Sequence, residues 1–285
     1  MAALIAFFFV LGLGLFALFL IFPERASEDA CERFARRAYA HRGLYDNEGA
    51  APENSLAAFE LAMQNGYGCE LDVQFTKDKK LIVFHDNDFG RVCGVDTPVW
   101  ELTWDEVKEL RLFGSAEGVP LFSEVLETVN GREPLIVEIK AEGICTEWYY
   151  ELCRATLEML RGYGGEFCVE SFHPCVVGWF KKHADDLVRG QLVNGHKASP
   201  DLGIVNGMCA QWLLCDVISR PHFVAYREQD IGLPFRIVRA LGALGVVWTC
   251  RTPERHAQLE KLTDAIIFER YMPSPHFNID KETDR

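Results

Sequence analysis

From about residue 25 onward the sequence switches repeatedly between short apolar runs and longer stretches whose apolar positions recur every three or four residues. The runs at 38–41, 69–75, 81–85, 135–139, 167–172, 188–193, 223–225, 245–249 and 265–268 read as strands, apolar enough to be covered on both faces. Between them, residues 55–65 carry Leu56, Phe59, Ala62 and Met63 at helical spacing. Thr103 with Glu106 three residues later is a helix-opening pair ahead of 104–110, and 120–129, 146–161 and 174–183 also suit helices. Strands that alternate with helices imply parallel pairing. Counting 81–85 as a hairpin extension of the strand before it leaves eight strands, and eight βα units in this length suit a TIM-type (β/α)8 barrel. No repeat, low-complexity tract or linker divides this body.

Residues 2–22 break the pattern: they contain no charge and no strongly polar side chain. As a helix they would measure roughly 31 Å, close to the hydrocarbon thickness of a bilayer. A cleaved signal peptide would want a basic start, a shorter core and a small-residue cleavage site, none of which surrounds Phe22-Pro23-Glu24-Arg25. A buried core helix rarely runs this long without a polar face. The expected organisation is a transmembrane anchor at 1–23 followed by one folded domain at 24–285. Arg25, Arg33, Arg36 and Arg37 follow the segment, so the positive-inside rule leans the domain toward the cytoplasm.

Composition narrows the class. With half of its residues apolar, the chain is not disordered, and 29 basic against 42 acidic side chains (net −13) argue against a nucleic-acid binder. The ten cysteines include no Cys-x-x-Cys pair, and Cys69, Cys168 and Cys250 sit in apolar runs, as small buried hydrophobes in a reducing compartment do.

Within the strands the charges are the informative residues. In Cys69-Glu70-Leu71-Asp72-Val73 the period of two puts both carboxylates on one face, and Val137-Glu138-Ile139-Lys140 pairs Glu138 with Lys140 in the same way. A barrel's outer strand face packs under helices, so these charges point to the lumen or its rim. Buried carboxylates need cations. Taken alone, each such pair reads most simply as a structural salt-bridge cluster. The neighbouring strand ends change the balance: Tyr39-Ala40-His41-Arg42-Gly43 ends in an imidazole, a guanidinium and a glycine that would let backbone approach a ligand, and 81–85 delivers His85. Functional residues of such barrels stand at the C-terminal ends of strands, where both histidines are expected. The isolated His173, His183, His196, His222, His256 and His276 read as packed or surface residues.

Carboxylate oxygens select a hard divalent ion, Mg²⁺ or Ca²⁺. Three carboxylates, Arg42, Lys140 and one such ion leave a formal charge of about +1 with neutral histidines, a match for a singly charged phosphodiester. Two imidazoles can divide the proton work, one deprotonating the nucleophile and the other protonating the departing alcohol.

His41-Arg42-Gly43, Pro52-Glu53-Asn54, Glu70-Leu71-Asp72, His85-Asp86 and Glu138-Ile139-Lys140, in this order, closely resemble the glycerophosphodiester phosphodiesterases. Val119-Pro120-Leu121, Glu124-Val125-Leu126, Ser171-Phe172 and Trp248-Thr249 extend the resemblance to roughly residues 38–270. It implies a TIM barrel with a small insertion after the second strand, here from 81 to about 121. It also implies metal ligation by Glu70, Asp72 and Glu138, acid–base roles for His41 and His85, and phosphate contacts from Arg42 and Lys140. Glu53 and Asn54 would support the first loop (Asn54 equally reads as the cap of the next helix), and Trp248 would wall a glycerol pocket. The implied reaction releases sn-glycerol 3-phosphate and an alcohol. Its alternatives are a lysophospholipase D-like enzyme, with the tether holding the rim near lipid, and a silent phosphate-binding module at the membrane. The sequence departs from the family's Thr-Asp-x-Pro after the last strand, reading Phe268-Glu269-Arg270-Tyr271, and its hairpin turn, Lys77-Asp78-Lys79-Lys80, lacks the common glycine. The first change is expected to alter the substrate rim and to leave the metal and proton-transfer positions untouched.

Overall fold

The computed structural model describes residues 1–141, 143–195 and 203–277. Eight parallel strands close into a TIM barrel: β1 (Arg37–His41), β2 (Gly68–Phe75), β6 (Leu135–Ile139), β7 (Phe167–Ser171), β8 (Arg189–Val193), β9 (Phe223–Arg227), β10 (Leu244–Cys250) and β11 (Ala265–Phe268). Tyr39 opposite Gly68 and Arg37 opposite Ala265 seal the ring on either side of β1. The intervening β3 (Leu81–Val83), β4 (Asp88–Phe89) and β5 (Val95–Pro98) belong to the insertion. The barrel strands lie where the apolar runs predict them, because both of their faces are covered; no apolar run marks the short β4 and β5, which pair only with each other.

Around the barrel run α3 (Leu56–Gln64), α6 (Phe122–Val129), α7 (Glu147–Arg161), α8 (Pro174–His183), α9 (Gly203–Gln211), α10 (Asp216–Ser219), α11 (Leu233–Ala240) and α12 (Pro253–Leu259). Before the barrel come α1 (Ala2–Ile21) and α2 (Glu28–Phe34); in the insertion lie α4 (Gly90–Cys93) and α5 (Trp104–Val107). Ser55, rather than Asn54, caps α3, accepting the Ala58 N–H at 3.1 Å. At α5, Glu106 reaches back to the Thr103 N–H at 2.8 Å, as the sequence predicts.

Among the described residues, packing divides into three bodies of apolar side chains. The largest lies between the strands and the helices. The second fills the lower lumen with Tyr39, Ile136, Cys168, Phe223, Val246 and Ala265. Gly190 makes room for this plug: a Cβ there would stand 2.1 Å from the Phe223 ring. The third belongs to the insertion alone and joins Ile82, Phe84, Phe89, Val92, Val99, Val107, Leu112 and Val119. Above the apolar plug the same inward-facing register turns polar.

Helix α1 is long and apolar enough to cross a membrane, a test that a signal sequence also passes. Only its last turn meets the barrel, where Ile21 is buried.

Candidate active site

Three inward-facing carboxylates converge at the upper end of the barrel. Glu70 and Asp72 stand two residues apart on β2, and Glu138 lies opposite Asp72 on the neighbouring β6. One oxygen from each falls within 4.8 Å of the others, a group that can hold a metal ion. All three are buried. Burial, reinforced by the charges of Asp72 and Glu138, pushes the Glu70 carboxyl well above its usual range. Glu138 is also raised by burial, against the pull of Lys140. Burial opposes ionisation of Asp72 too, but Lys140, His85 and Arg42 outweigh it and hold this carboxyl well below normal. Asp72 Oδ1 has no hydrogen-bond partner, although Lys140 Nζ is 3.4 Å away. Hard oxygen donors with one buried oxygen left over suit a divalent cation.

The cations predicted from sequence stand against this group. Lys140 Nζ is 3.0 Å from Glu138 Oε1. Arg42, in the left-handed region (φ 55°) just past β1, donates its backbone N–H to Glu70 Oε2 at 3.1 Å. Its guanidinium donates to Glu53 at 2.7 Å and comes within 3.7 Å of Asp72. Asn54 donates to Asp72 Oδ2 at 3.0 Å and does not cap α3. The glycine of His-Arg-Gly serves a different purpose from the one expected. At Gly43 (φ +82°) a Cβ would lie 2.8 Å from the Ala58 backbone, so the close approach is to α3.

The two histidines arrive by different routes. His41 ends β1, and its Nε2 is 3.9 Å from Glu70 Oε2. His85 does not end a parallel strand. β3 runs antiparallel down β2 from Leu81 opposite Phe75, with Phe84 N bonded to Asp72 O at 2.9 Å, and His85 follows. It thereby lowers an imidazole onto the rim above the end of β1. Its Nδ1 is 2.7 Å from Asp86 Oδ1. Arg91 clamps Asp86 at 2.6 Å and also holds Glu53 at 2.6 Å, tying the insertion to the Arg42 loop. Burial would raise the Glu53 carboxyl, but Arg91, Arg42 and Asn47 bring it down to about 2.

One expectation is overturned. Glu269, the departure that follows β11, touches a proton-transfer candidate directly: its Oε2 lies 2.7 Å from His41 Nδ1 and also accepts the Tyr45 hydroxyl at 2.9 Å. Arg251 donates to its other oxygen at 2.7 Å. Burial would push Glu269 up, yet His41 and Arg251 hold it well below the usual range. Burial, with the Arg42 charge, lowers His41 even against the Glu269 bond. The register shows why the sequence reading missed this contact: Glu269 continues the inward-facing series of Ala265 and Ile267, so it meets His41 on the adjacent β1. Glu170 was missed as well. It pairs in register with Glu138, is buried, and leaves Oε2 without a hydrogen-bond partner. The same test, a charge inside an apolar strand, would have found it.

Trp248 faces the upper lumen, donating its indole N–H to Ala225 O at 2.9 Å and meeting Phe172 edge-on at 5.6 Å. Beside Lys140 opens a cleft lined by Gln74, Trp100, Trp148 and Tyr149. The remaining histidines stay apart from this group. His222 and His256 are buried elsewhere, His183 stacks on Trp179, His173 caps α8, and His276 is exposed near the start of β1. His196 lies outside the described residues.

Known proteins share this fold. Solved structures of similar fold include an Oleispira antarctica phosphodiesterase in complex with the product sn-glycerol-3-phosphate (TM-score 0.68, 22% identity, 84% of this chain and 94% of that one). A Thermotoga maritima glycerophosphodiester phosphodiesterase aligns with a TM-score of 0.61 at 26% identity over 81% and 93% of the two chains. Among curated sequences, a glycerophosphodiester phosphodiesterase of Bacillus altitudinis is 38% identical over 111 residues, 36% of this chain and 44% of that protein. Human lysophospholipase D GDPD1 is 29% identical over 136 residues, 43% of this chain and 42% of that protein. The chain thus spans somewhat less than half the length of the curated relatives it matches. The sequence model of the glycerophosphoryl diester phosphodiesterase family, in contrast, matches residues 41–271, from the first rim histidine to just beyond Glu269. The chain belongs to the glycerophosphoryl diester phosphodiesterase family.

Proposed function

We propose that this protein is a metal-dependent hydrolase that cleaves glycerophosphodiesters to sn-glycerol 3-phosphate and an alcohol. The observation that carries the reading is the convergence of Glu70, Asp72 and Glu138 within 4.8 Å beside His41. Those three carboxylates would hold Mg²⁺ or Ca²⁺, which supplies positive charge to the phosphate oxygens of the bound diester. Arg42 and Lys140 add fixed charge for the same oxygens. His41, kept neutral by burial and holding its Nδ1 proton on Glu269, presents Nε2 as the base that takes a proton from the water whose oxygen joins phosphorus as the bond to the alcohol breaks. His85, oriented by Asp86, donates a proton to the departing alcohol. Trp248 and Phe172 wall the glycerol end, and the cleft beside Lys140 gives the alcohol room to leave.

Residues 1–23 serve as a membrane anchor in this reading and 24–285 as the catalytic domain, on the cytoplasmic side. The expected test is a substrate panel with Mg²⁺, Ca²⁺ or chelator. Glycerophosphocholine or glycerophosphoethanolamine should be cleaved, activity should vanish with chelator, and His41→Ala or His85→Ala should each lower turnover by about 10²–10⁴-fold. Full turnover by either variant removes its assigned role. Similarity to the human lysophospholipase D favours lysophospholipids as the second reading, which mass spectrometry of the products separates from the first.

A further inference from the structure

The chain reaches the barrel at the end opposite the candidate active site. All eight barrel strands run in one direction, with His41, Lys140 and Glu269 at or just beyond their finishing ends. The last turn of α1 is fastened instead to the starting ends. Arg189 opens β8, and Arg220 and Pro221 form the turn leading into β9. Arg220 Nη1 donates to the carbonyls of Phe19 (2.8 Å) and Phe22, and its guanidinium lies 4.9 Å from the Phe19 ring centroid. The Glu24 N–H donates to Pro221 O at 3.1 Å, and the Glu24 carboxylate pairs with the fully buried Arg189. Ile21 and Pro23 are buried in the same junction, whereas the side chains of residues 3–18 stand clear of the body, Phe8 being 60% exposed. No slack linker separates helix from barrel; residues 19–24 are pinned to the base.

We infer that, with α1 in a bilayer, the base of the barrel faces the lipid and the active-site mouth opens into the aqueous phase. The eight residues of β2, at about 3.3 Å each and tilted by about 36°, lift the mouth roughly 20 Å above the base. A lysophospholipid lying in the membrane that holds the enzyme is therefore out of reach, and substrate reaches the mouth from the aqueous phase. This inference rests on the reading of 1–23 as an anchor and of the upper rim as the reaction site.

The test uses the full chain in phosphatidylcholine nanodiscs with divalent cation present. A clickable aryl azide is introduced at exposed Lys182 on the base in one variant and at exposed Glu101, beside the mouth, in another. Each carries a donor dye, with an acceptor on the lipid headgroups. The donor at 182 should be quenched several-fold more than the donor at 101, and glycerophosphocholine should be hydrolysed at least tenfold faster than lysophosphatidylcholine placed in the same disc. Equal or stronger quenching at 101, or comparable hydrolysis of the disc-borne lipid, overturns the inference. Recovery from cell membranes of a chain lacking 1–23, seen by intact mass, overturns it together with the anchor reading. If neither substrate is cleaved, the phosphodiesterase reading fails and the substrate assignment falls with it, while the quenching ratio still decides the orientation.

Discussion

Each rim histidine keeps its Nδ1 against a carboxylate at 2.7 Å, Glu269 for His41 and Asp86 for His85. A carboxylate in that place accepts a hydrogen bond from Nδ1–H and fixes the ring angle, turning Nε2 toward the reacting groups as a lone pair on the base His41 and as an N–H on the acid His85. Glu269→Gln can turn its amide toward His41 and favour the opposite tautomer. We expect kcat to fall on the order of 10²-fold with KM little changed, and the His41 ring nitrogens to exchange tautomer in long-range ¹⁵N–¹H spectra. Unchanged spectra would remove the orienting role. Glu53 makes a prediction about acid stability. Its carboxyl is held at about 2, below the ordinary 4.5, so its contribution is present in full above pH 4.5 and is lost as the pH falls through 2. After allowing for solvent screening, the loss is on the order of 2 kcal/mol. Urea unfolding between pH 6 and pH 2 should show this slope in the parent chain and a flatter one in Arg91→Met.

At the scale of elements, the insertion works as a small core of its own that carries His85 and Arg91 to the rim. Leu112 is wholly buried in it. Leu112→Ala should cost about 2–5 kcal/mol through the cavity it leaves. Because this cluster is separate from the barrel's, the effect should be local: faster amide exchange over residues 81–121 and lower turnover, with slow exchange preserved in β6 to β8. The strands were legible in the sequence because strands covered on both faces are apolar throughout, and the inward charges stood out against that background. The helices over Leu233–Ala240 and Pro253–Leu259 were not singled out, since each carries a proline in its first turn that reads equally as a loop. The order of motifs picked out residues that the fold brings together: Glu70, Asp72 and Glu138 beside Arg42, Lys140 and His41. It could not disclose that Glu269 meets His41 across 228 residues of chain, or that Arg91 ties Asp86 to Glu53. Those contacts depend on barrel closure and on the course of the insertion.

For the molecule as a whole, three buried carboxylates crowded within 4.8 Å are a standing source of repulsion that a bound cation relieves. Any ion that binds the folded chain alone stabilises it by mass action, by about 2.7 kcal/mol at a hundred times its dissociation constant. Thermal unfolding should therefore shift upward by several degrees when Mg²⁺ or Ca²⁺ replaces chelator, independently of any turnover assay. Asp72→Asn, which removes one oxygen anion from the centre, should abolish most of that shift.

The apolar plug of Tyr39, Ile136, Phe223 and Val246 has a kinetic consequence. It floors the chamber, so nothing drains along the barrel axis. In the proposed reaction, diester, water, alcohol and phosphomonoester therefore all pass by way of the upper rim, and the fragment nearer the opening has to depart before the deeper one can follow.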